Sequence, residues 1–440
     1  MKMTKSIAIT LALFATVAAT NAETIYINGS TAYRKSTIQA IINLLGGNAV
    51  PAAQPSVWNG GLAASNANYI GSTAANWYGV TYSGHVVDIK VSFYGSLGGV
   101  QANDGGHKFP FITTGTSVAD AVNATFTPPS TLDTNPPANL PVYGDFQVPN
   151  VALSDTFQAT TPYNTTSLID VTVGVVPFQW VVSKGATVHS AVSISTFSMN
   201  NHLVNAIYSK GYAPLSQLTG DPADNPIATP ATGLWVFASG RDFDSGTRAI
   251  ALAESGYGAT TAVKQYIINS DGTGTLSPST TINGTLHAAG DGGYDTGANL
   301  AAGLKYTAGG TVTANGIKWP DGTTGHAGKG FFIGYLSKGD AQTAINSGAN
   351  GIPVGWNGAF YLNTSGTNND NLVKSGQYTF WSYEHVLYQT PDAVAHPGAS
   401  ALIPDLATQI LTVTGGVSGI KISDMVASRA NANDGAYVAY

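Results

Sequence analysis

The 440-residue chain contains no cysteine. This absence excludes disulfide bonds, thiolate metal sites, a cysteine nucleophile and the lipid-bearing cysteine of a bacterial lipoprotein. Charged residues are also scarce, at 10% of the chain, and the formal net charge is -6. Nucleic acid and anionic lipid attract basic surfaces, so this composition disfavours both as partners. The apolar fraction of 43% still suffices for sizeable buried cores in two or three domains.

The longest apolar run lies at the amino terminus. Lys2 and Lys5 precede the apolar segment 7–19, and the small residues Thr20-Asn21-Ala22 follow it. This arrangement is typical of a secretory signal peptide, so we expect residues 1–22 to be removed. A membrane anchor is the alternative, but the apolar run is short for one. Together with the absence of cysteine, the pattern predicts a periplasmic or released bacterial protein that is not a lipoprotein.

Three segments share one plan, in which an apolar strand leads into a turn of small residues and then into a helix. In the first segment, Ile38, Ile41, Ile42 and Leu45 recur at helical spacing. Repeated strand, turn and helix predict an α/β protein whose turns lie at the carboxyl ends of strands, where ligands usually bind. The three segments are TIYINGSTAYRKSTIQAIINLL (24–45), VVDIKVSFYGSLGGVQA (86–102) and LWVFASGRDFDSGTRAIALAES (234–255).

Other elements are predicted between and after these segments. The apolar run VTVGVVPFQWVVSKG (171–185) predicts a strand followed by a helix near 197–209, and GFFIGYLSKGDAQTAINSG (330–348) predicts a late strand and helix. Residues 48–85 and 101–149 are rich in Pro, Thr, Asn and Gly and exceed ordinary connections, so we interpret them as surface insertions. Deletion of residues 103–149 is therefore expected to leave the fold intact.

The turns themselves suit an anion. A strand-to-helix turn exposes backbone N–H groups and the positive end of the helix dipole, and small residues allow close approach. One Ser-Gly-Thr turn alone is more often a helix cap. Arg241, four residues before Ser245, adds a planar fork of donors, so the cluster favours a tetrahedral oxyanion. The alternative for Arg241 is an ion pair with Asp242 or Asp244.

Two further arginines lie next to the predicted turns. Arg34 and Arg248 follow the first and third turns, and we expect both to lie on outer helix faces. Asp244 offers a further alternative, in which its carboxylate orients the guanidinium of Arg241 within the site.

The residues of the third turn also carry a family resemblance. The spacing Arg241-x-x-x-Ser245-Gly246-Thr247 resembles the Arg-x-x-x-Ser-Gly-Thr signature of bacterial periplasmic phosphate-binding proteins, the substrate-binding component of phosphate ABC transporters. Other segments resemble the family's motifs in the same order: INGSTAYR, GSLGGVQA, VALSDTF, FFIGYLSKGDA and SGQYTFWSYEHVLY. The resemblance implies a type 2 periplasmic-binding-protein fold of two α/β lobes with a hinge and an interlobe cleft. Lobe 1 would comprise 23–174 plus 338–440, and lobe 2 would comprise 175–337.

The resemblance also implies a set of phosphate-binding residues. These are Thr31 and Ala32 from the first turn, Ser96 from the second, Arg241, Ser245, Gly246 and Thr247 from the third, and Asp155 as a hydrogen-bond acceptor. Phosphate near neutral pH usually keeps a proton and sulfate does not, so a buried carboxylate accepts a hydrogen bond from phosphate and repels sulfate. The alternative for Asp155 is a helix cap or Asx turn, because its spacing from Ser96 is longer than in the family.

Other chemistry has little support in the sequence. The eight histidines form no zinc-binding motif, and there is no P-loop or Gly-x-Ser-x-Gly elbow. The segments SDGTG near Asp271 and GDGGYD near Asp291 are interpreted as turns and not as calcium sites. Residues 269–293 and 363–371 are expected to be hairpins or loops. We interpret the following tryptophans as core or loop anchors: Trp58, Trp77, Trp180, Trp235 and Trp381.

These observations predict a non-enzymatic, monomeric protein without metal or cofactor that binds inorganic phosphate for an ABC transporter permease in the inner membrane. Three alternatives stay open. The ligand would be another oxyanion, such as sulfate, arsenate or a phosphorylated organic molecule. The chain would instead be a secreted or surface interaction protein that reuses the fold. A phosphatase is the weakest alternative, because no activated nucleophile is evident.

Overall fold

A computed structural model describes most of the chain. It covers residues 22–47, 56–59, 70–93, 95–113, 144–184, 194–228, 234–282, 285–306, 330–346, 351–430, 434–435 and 438–439. The predicted signal peptide, apart from residue 22, lies outside the described residues, as does most of the tract between 113 and 144.

Strands and helices alternate along much of the described chain. The strands are β1 (Glu23–Gly29), β2 (Ser56–Asn59), β3 (Ala74–Tyr82), β4 (His85–Ser92), β5 (Phe109–Phe111), β6 (Asp145–Gln147), β7 (Val151–Ser154), β8 (Ile169–Val182), β9 (Ser198–Met199), β10 (Tyr212–Pro214), β11 (Trp235–Ala238), β12 (Tyr266–Ile268), β13 (Gly274–Leu276), β14 (Thr280–Ile282), β15 (Thr285–His287), β16 (Gly330–Ser337), β17 (Ile352–Trp356), β18 (Trp381–Tyr388), β19 (Ser428–Arg429) and β20 (Val438–Ala439). The α-helices are α1 (Arg34–Leu44), α2 (Ser96–Gly105), α3 (Asn201–Lys210), α4 (Ser216–Thr219), α5 (Gly246–Glu254), α6 (Gly297–Leu304), α7 (Lys338–Asn346), α8 (Asp370–Lys374) and α9 (Pro397–Val417).

The three predicted strand-turn-helix segments are confirmed as β1–α1, β4–α2 and β11–α5. In β1, apolar residues alternate along the strand, and Ile25 and Ile27 are buried on one face of the sheet. In α1, apolar residues recur at helical spacing, and Ile38 and Ile41 are buried on one face of the helix. The helix expected near 197–209 is α3, which begins later because the Asn200 side chain caps it by accepting a hydrogen bond from the N–H of Leu203.

One mixed sheet of 12 strands organises the fold, in the order β10-β11-β16-β8-β18-β7-β1-β4-β3-β2, with β17 attached beside β8 and β9 beside β17. The predicted α/β class is thus confirmed. Strand β8 belongs to two groups of strands: residues 169–177 pair with β18, and residues 178–182 pair with β16 and β17. The division into two lobes stays a prediction.

The register of the sheet brings the first two turns together. Strand β1 is parallel to β4 and to β7, so the carboxyl ends of these three strands lie at one edge. The N–H of Gly95, after β4, donates to the carbonyl of Gly29, at the end of β1, at 2.9 Å. The segments that follow β1, β4 and β7 are therefore neighbours.

Aromatic side chains fill the core around β8. Trp180 stacks on Trp356 and Phe380, with ring centroids 6.1 and 5.5 Å away. Of the tryptophans predicted to be anchors, Trp77, Trp180, Trp235 and Trp381 are buried, and the side chain of Trp58 lies outside the description.

The two long tracts interpreted as surface insertions contain core strands, so that interpretation is wrong for the described parts. Within 48–85, β3 pairs with β4 in the main sheet and Trp77 is fully buried. Within 101–149, β5 pairs with β6, and Phe109 and Phe146 are buried. The many Gly, Asn and Pro residues between these short strands conceal their alternating pattern. A hairpin expected within 269–293 is confirmed as β14–β15, and β13 in the same range pairs with β12, which begins before it at Tyr266.

The expectation that residues 103–149 can be deleted loses its basis, because the deletion would remove β5, β6 and Asp145, which pairs with buried Lys90. A narrower deletion avoids this. The N–H of Gly144 donates to Oγ1 of Thr113 at 2.8 Å, so the two ends flanking residues 114–143 are adjacent. We expect replacement of 114–143 by a short Gly-Ser linker to change the free energy of unfolding by about 1 kcal/mol or less, since closure entropy depends weakly on loop length. Urea unfolding measures this change.

The deletion of 103–149 is the matched comparison. Its product should not give a cooperative unfolding transition. Loss of cooperative unfolding in the 114–143 variant would show that this tract contributes to the core.

Candidate functional site

Two distant segments converge on the carboxylate of Asp155, directly after β7. Oγ of Ser96 donates to Oδ1 of Asp155 at 2.5 Å and accepts from the Asp155 N–H at 3.2 Å. Oγ1 of Thr247 donates to Oδ2 of Asp155 at 3.3 Å. These contacts are with other segments and are not those of a helix cap or an Asx turn. The long spacing between Ser96 and Asp155 therefore does not keep them apart.

The carboxylate of Asp155 lies against the first turn of α5. A Cβ placed on Gly246 would be 1.8 Å from Oδ1 of Asp155 and 2.5 Å from Oγ1 of Thr156. Such distances leave no room for any side chain at residue 246. Glycine thus allows a negatively charged group to reach the N–H groups at the positive end of this helix.

Burial controls the charge of this carboxylate. Asp155 is 2% exposed, and burial raises its pKa, as does the negative charge of Asp434 to a smaller extent. Hydrogen bonds from Ser96 and Thr247 and the charge of Arg241 oppose the rise. An arginine close enough to affect this pKa links the third turn to the site electrostatically.

Two more buried carboxyls stand near Asp155, and sequence reasoning missed both. Oε2 of Glu384 accepts from Oγ of Ser30 at 3.1 Å, and burial and the charge of Asp155 raise the Glu384 pKa well above its usual value. Asp434 accepts from the Phe157 N–H at 2.9 Å and from Ser382. A glutamate inside the apolar run of β18 was the available signal for Glu384. Asp434 lies in a polar stretch that gave no signal.

Arg241 is 2% exposed and is held by backbone carbonyls. Its Nε donates to the carbonyl of Tyr294 at 3.1 Å and its Nη2 donates to the carbonyl of Asp295 at 2.8 Å. Neither Asp242 nor Asp244 forms an ion pair with it in the described contacts, so the structural ion pair considered from the sequence is not observed. Among the described residues, Nη1 of Arg241 has no hydrogen-bond partner.

The other predicted residues of the third turn differ in their contacts. Oγ of Ser245 accepts from the Arg248 N–H at 3.3 Å and so caps α5, as the capping alternative predicted. A serine hydroxyl that accepts this bond still has its proton to donate. The N–H groups of Leu97 and Gly98 in α2 both donate to the carbonyl of Asp244, at 3.0 and 3.4 Å. Two backbone N–H groups in the first turn of α2 are therefore already hydrogen-bonded within the chain.

Thr31 and Ala32 lie outside the cluster of residues around Asp155. Both line a cavity of about 450 Å³, and the carbonyl of Thr31 accepts from Nη1 of Arg34 at 2.6 Å. The described contacts do not join either residue to Ser96, Asp155 or Thr247. The predicted site residues therefore form two groups, one around Asp155 and one beside the cavity.

The expected positions of Arg248 and Arg34 are wrong. Arg248 is 1% exposed, and its guanidinium donates to the carbonyl of Asp291 at 2.6 Å and pairs with the Asp291 carboxylate. His287 contacts the same carboxylate at 2.9 Å. This buried network fixes Arg248, which directly follows the third turn, in the interior. Arg34 lines the cavity instead of an outer helix face.

Asp244 makes the pH dependence of stability testable. Burial raises its pKa to about 6, against the opposing charges of His287 and Arg248. The folded protein therefore binds the proton of the Asp244 carboxyl more tightly than the unfolded chain does. The contribution of this proton to the free energy of unfolding is present below about pH 4 and is lost as the pH rises towards 6. Asparagine does not titrate. We therefore expect the free energy of unfolding of Asp244→Asn, relative to that of the wild type, to increase by roughly 1 kcal/mol or more as the pH rises from 4 to 7. Urea unfolding at a series of pH values measures it.

Asp271→Asn is the control for that series. Asp271 is exposed, and hydrogen bonds from Thr273 lower its pKa, so its substitution should act in the opposite direction as the pH rises. A stability difference between Asp244→Asn and the wild type that does not change with pH would contradict the assigned shift.

Within the described residues, no group of three or more His, Asp or Glu side chains is arranged to hold a metal ion. The same part of the chain has no helix with the length and apolar character needed to cross a membrane.

Comparison with known proteins gave matches among solved structures alone. No protein-family model and no curated protein matches the chain. A structure described as a phosphate ABC transporter substrate-binding protein from Clostridium perfringens, with bound phosphate, is 11% identical, with 91% of this chain and 100% of that chain covered and a TM-score of 0.42. An ABC-type phosphate transport receptor from Vibrio cholerae is 11% identical, with coverage of 89% and 98% and a TM-score of 0.38. A phosphate-binding protein from Stenotrophomonas maltophilia is 10% identical, with coverage of 93% and 86% and a TM-score of 0.35. These neighbours are thus phosphate-binding proteins, two of them described as components of ABC transporters.

Proposed function

We propose that this chain is a non-enzymatic periplasmic binding protein that captures inorganic phosphate for uptake by an ABC transporter. One observation carries the proposal: Ser96, Thr247 and Asp155 meet at the amino end of α5, beside the charge of buried Arg241. These are residues that the family resemblance assigned to phosphate, and they come from three segments far apart in the chain.

The donors at this point suit an oxyanion. Hydroxyls of Ser96 and Thr247 donate to the carboxylate of Asp155, which lies against the first turn of α5. The charge of Arg241, whose Nη1 has no described partner, acts on the same carboxylate. A dehydrated oxyanion needs several fixed donors in place of water, and helix ends and guanidinium groups provide them. In the structure the two hydroxyls donate to Asp155 itself. We propose that phosphate enters the cluster, accepts hydrogen bonds from these donors and, through its own P–OH, donates a hydrogen bond to the carboxylate of Asp155.

Ligand binding would join two groups of strands. Ser96 and Asp155 follow β4 and β7, whereas Arg241 and Thr247 follow β11, which pairs with β16 on the other side of β8. An anion that contacts residues of both groups binds more tightly when the two groups are close together. Its binding therefore favours a closed state over an open one. We propose that these groups correspond to the two lobes, that the chain is exported through residues 1–22, and that a monomer delivers phosphate to a permease in the inner membrane.

Calorimetric titration of the chain from residue 23 tests the proposal. Protein freed of phosphate by unfolding and refolding should bind one phosphate per chain, and phosphate at a hundredfold excess over Kd should stabilise it by about 2.7 kcal/mol. Sulfate and arsenate, titrated in parallel, test the other oxyanions, and a phosphate monoester tests hydrolysis. Absence of both heat and thermal stabilisation with phosphate would remove the proposal. Turnover of the monoester would favour a phosphatase.

A further inference from the structure

The cavity beside Thr31 is much larger than an inorganic phosphate ion requires. Its volume is about 450 Å³, and it lies between the start of α1 and the first turns of α7. Pockets that bind small molecules commonly have volumes in this range. Its charged lining consists of Arg34, Lys35 and Lys338 against the single carboxylate of Asp340, so the lining is positive in a chain whose net charge is negative.

Two observations relate the cavity to residues assigned to phosphate. Thr31 and Ala32, which the family resemblance assigns to phosphate, form part of its wall. Asp340 forms another part, and its Oδ2 lies 2.0 Å from the point that a Cβ on Gly297 would occupy. Nη1 of Arg241 lies 3.5 Å from that same point. The unpartnered end of the buried arginine is therefore close to the cavity wall.

The three cations of the lining are used differently. The guanidinium of Arg34 is already hydrogen-bonded within the protein, because it donates to the carbonyls of Thr31 and Gly71 at 2.6 and 3.1 Å. Lys338 has only a loose pair, with 4.0 Å between its Nζ and Oδ2 of Asp370. Lys35 is exposed and forms no ion pair with a described residue. Two ammonium groups, one on each side of the cavity, thus remain able to contact a ligand.

We propose that the cavity receives a second anionic group that is covalently linked to a phosphoryl group held at Asp155. The ligand class is a phosphate compound with two acidic groups, for which inorganic diphosphate is the simplest probe. This inference rests on the proposed function, since the phosphoryl group must occupy the Asp155 site. Inorganic phosphate would fill that site alone and leave Lys35 and Lys338 without an anion to neutralise.

The test compares orthophosphate, diphosphate and glycerol phosphate by calorimetry without divalent cations. Diphosphate should bind more tightly than glycerol phosphate, whose second part is uncharged. Lys35→Gln and Lys338→Gln should each weaken diphosphate binding roughly two- to fivefold, as expected for partly exposed charge contacts, and leave orthophosphate binding unchanged. Lys210→Gln, at an exposed lysine that ends α3 and does not line the cavity, is the matched control and should change neither.

The outcomes separate this inference from the proposed function. Normal orthophosphate binding with weak, lysine-insensitive diphosphate binding would overturn the inference alone. Tight glycerol phosphate binding that exceeds diphosphate binding would also overturn it, because an uncharged group would then fill the cavity. No binding of orthophosphate or diphosphate would overturn both.

Discussion

Arg241→Lys is expected to weaken phosphate binding about ten- to a hundredfold, which corresponds to loss of a charge-assisted hydrogen bond of about 1.5 to 3 kcal/mol. The guanidinium is fixed by the carbonyls of Tyr294 and Asp295, and this leaves Nη1 free for a ligand. A lysine has one ammonium group and cannot bind both carbonyls and present a donor at the Nη1 position. Calorimetric titration with phosphate gives the affinity, and urea unfolding without phosphate gives the stability.

Arg429→Lys is the matched control for Arg241→Lys. Arg429 is also a buried arginine whose guanidinium donates to backbone carbonyls, those of Thr379 and Trp381. Its substitution should lower stability without a comparable loss of phosphate affinity. If both variants lose affinity in proportion to their loss of stability, Arg241 has a structural role and contacts no phosphate.

Asp155→Asn is expected to lower the ratio of phosphate affinity to sulfate affinity by about tenfold or more, the effect of one exchanged hydrogen bond at a desolvated site. The carboxylate accepts a hydrogen bond from protonated phosphate and repels the bare oxygens of sulfate. An asparagine amide can instead donate to those oxygens. Titration of the wild type and the variant with both anions near neutral pH measures the ratio.

The stability of the same variant provides an independent check. Burial raises the pKa of Asp155, so the charged form is unfavourable in the folded protein and its replacement by a neutral amide should not destabilise the fold. An unchanged phosphate to sulfate ratio in a stable variant would mean that Asp155 does not contact the anion. Its bonds to Ser96 and Thr247 would then serve only to join the segments.

The predictions that succeeded depended on local patterns. Strand, turn and helix follow one another within about twenty residues in β1–α1, β4–α2 and β11–α5, so the alternating and helical periodicities were visible in each segment. The meeting of Ser96, Asp155 and Thr247 was expected from the resemblance, and the structure shows these contacts. Their role in binding phosphate is still a prediction.

The predictions that failed depended on contacts between distant residues. Arg248 looked like a residue of an outer helix face, but Asp291, 43 positions later, neutralises it in the interior. Short strands such as β5 and β6 have three residues each, too few for a period to be recognised among prolines and glycines. Glu384 and Asp434 reach the site through the pairing of β18 and through the carboxyl-terminal segment, which no local pattern predicts.

The position of β18 in the sheet affects how the chain reaches its folded state. This strand lies between β7 and β8, yet residues 381–388 come some two hundred positions after them in the chain. During synthesis, β7 and β8 are complete long before the strand that separates them exists. Pairings between such distant segments are slow to form. A nascent chain therefore has an incomplete central sheet until residue 388 has been made.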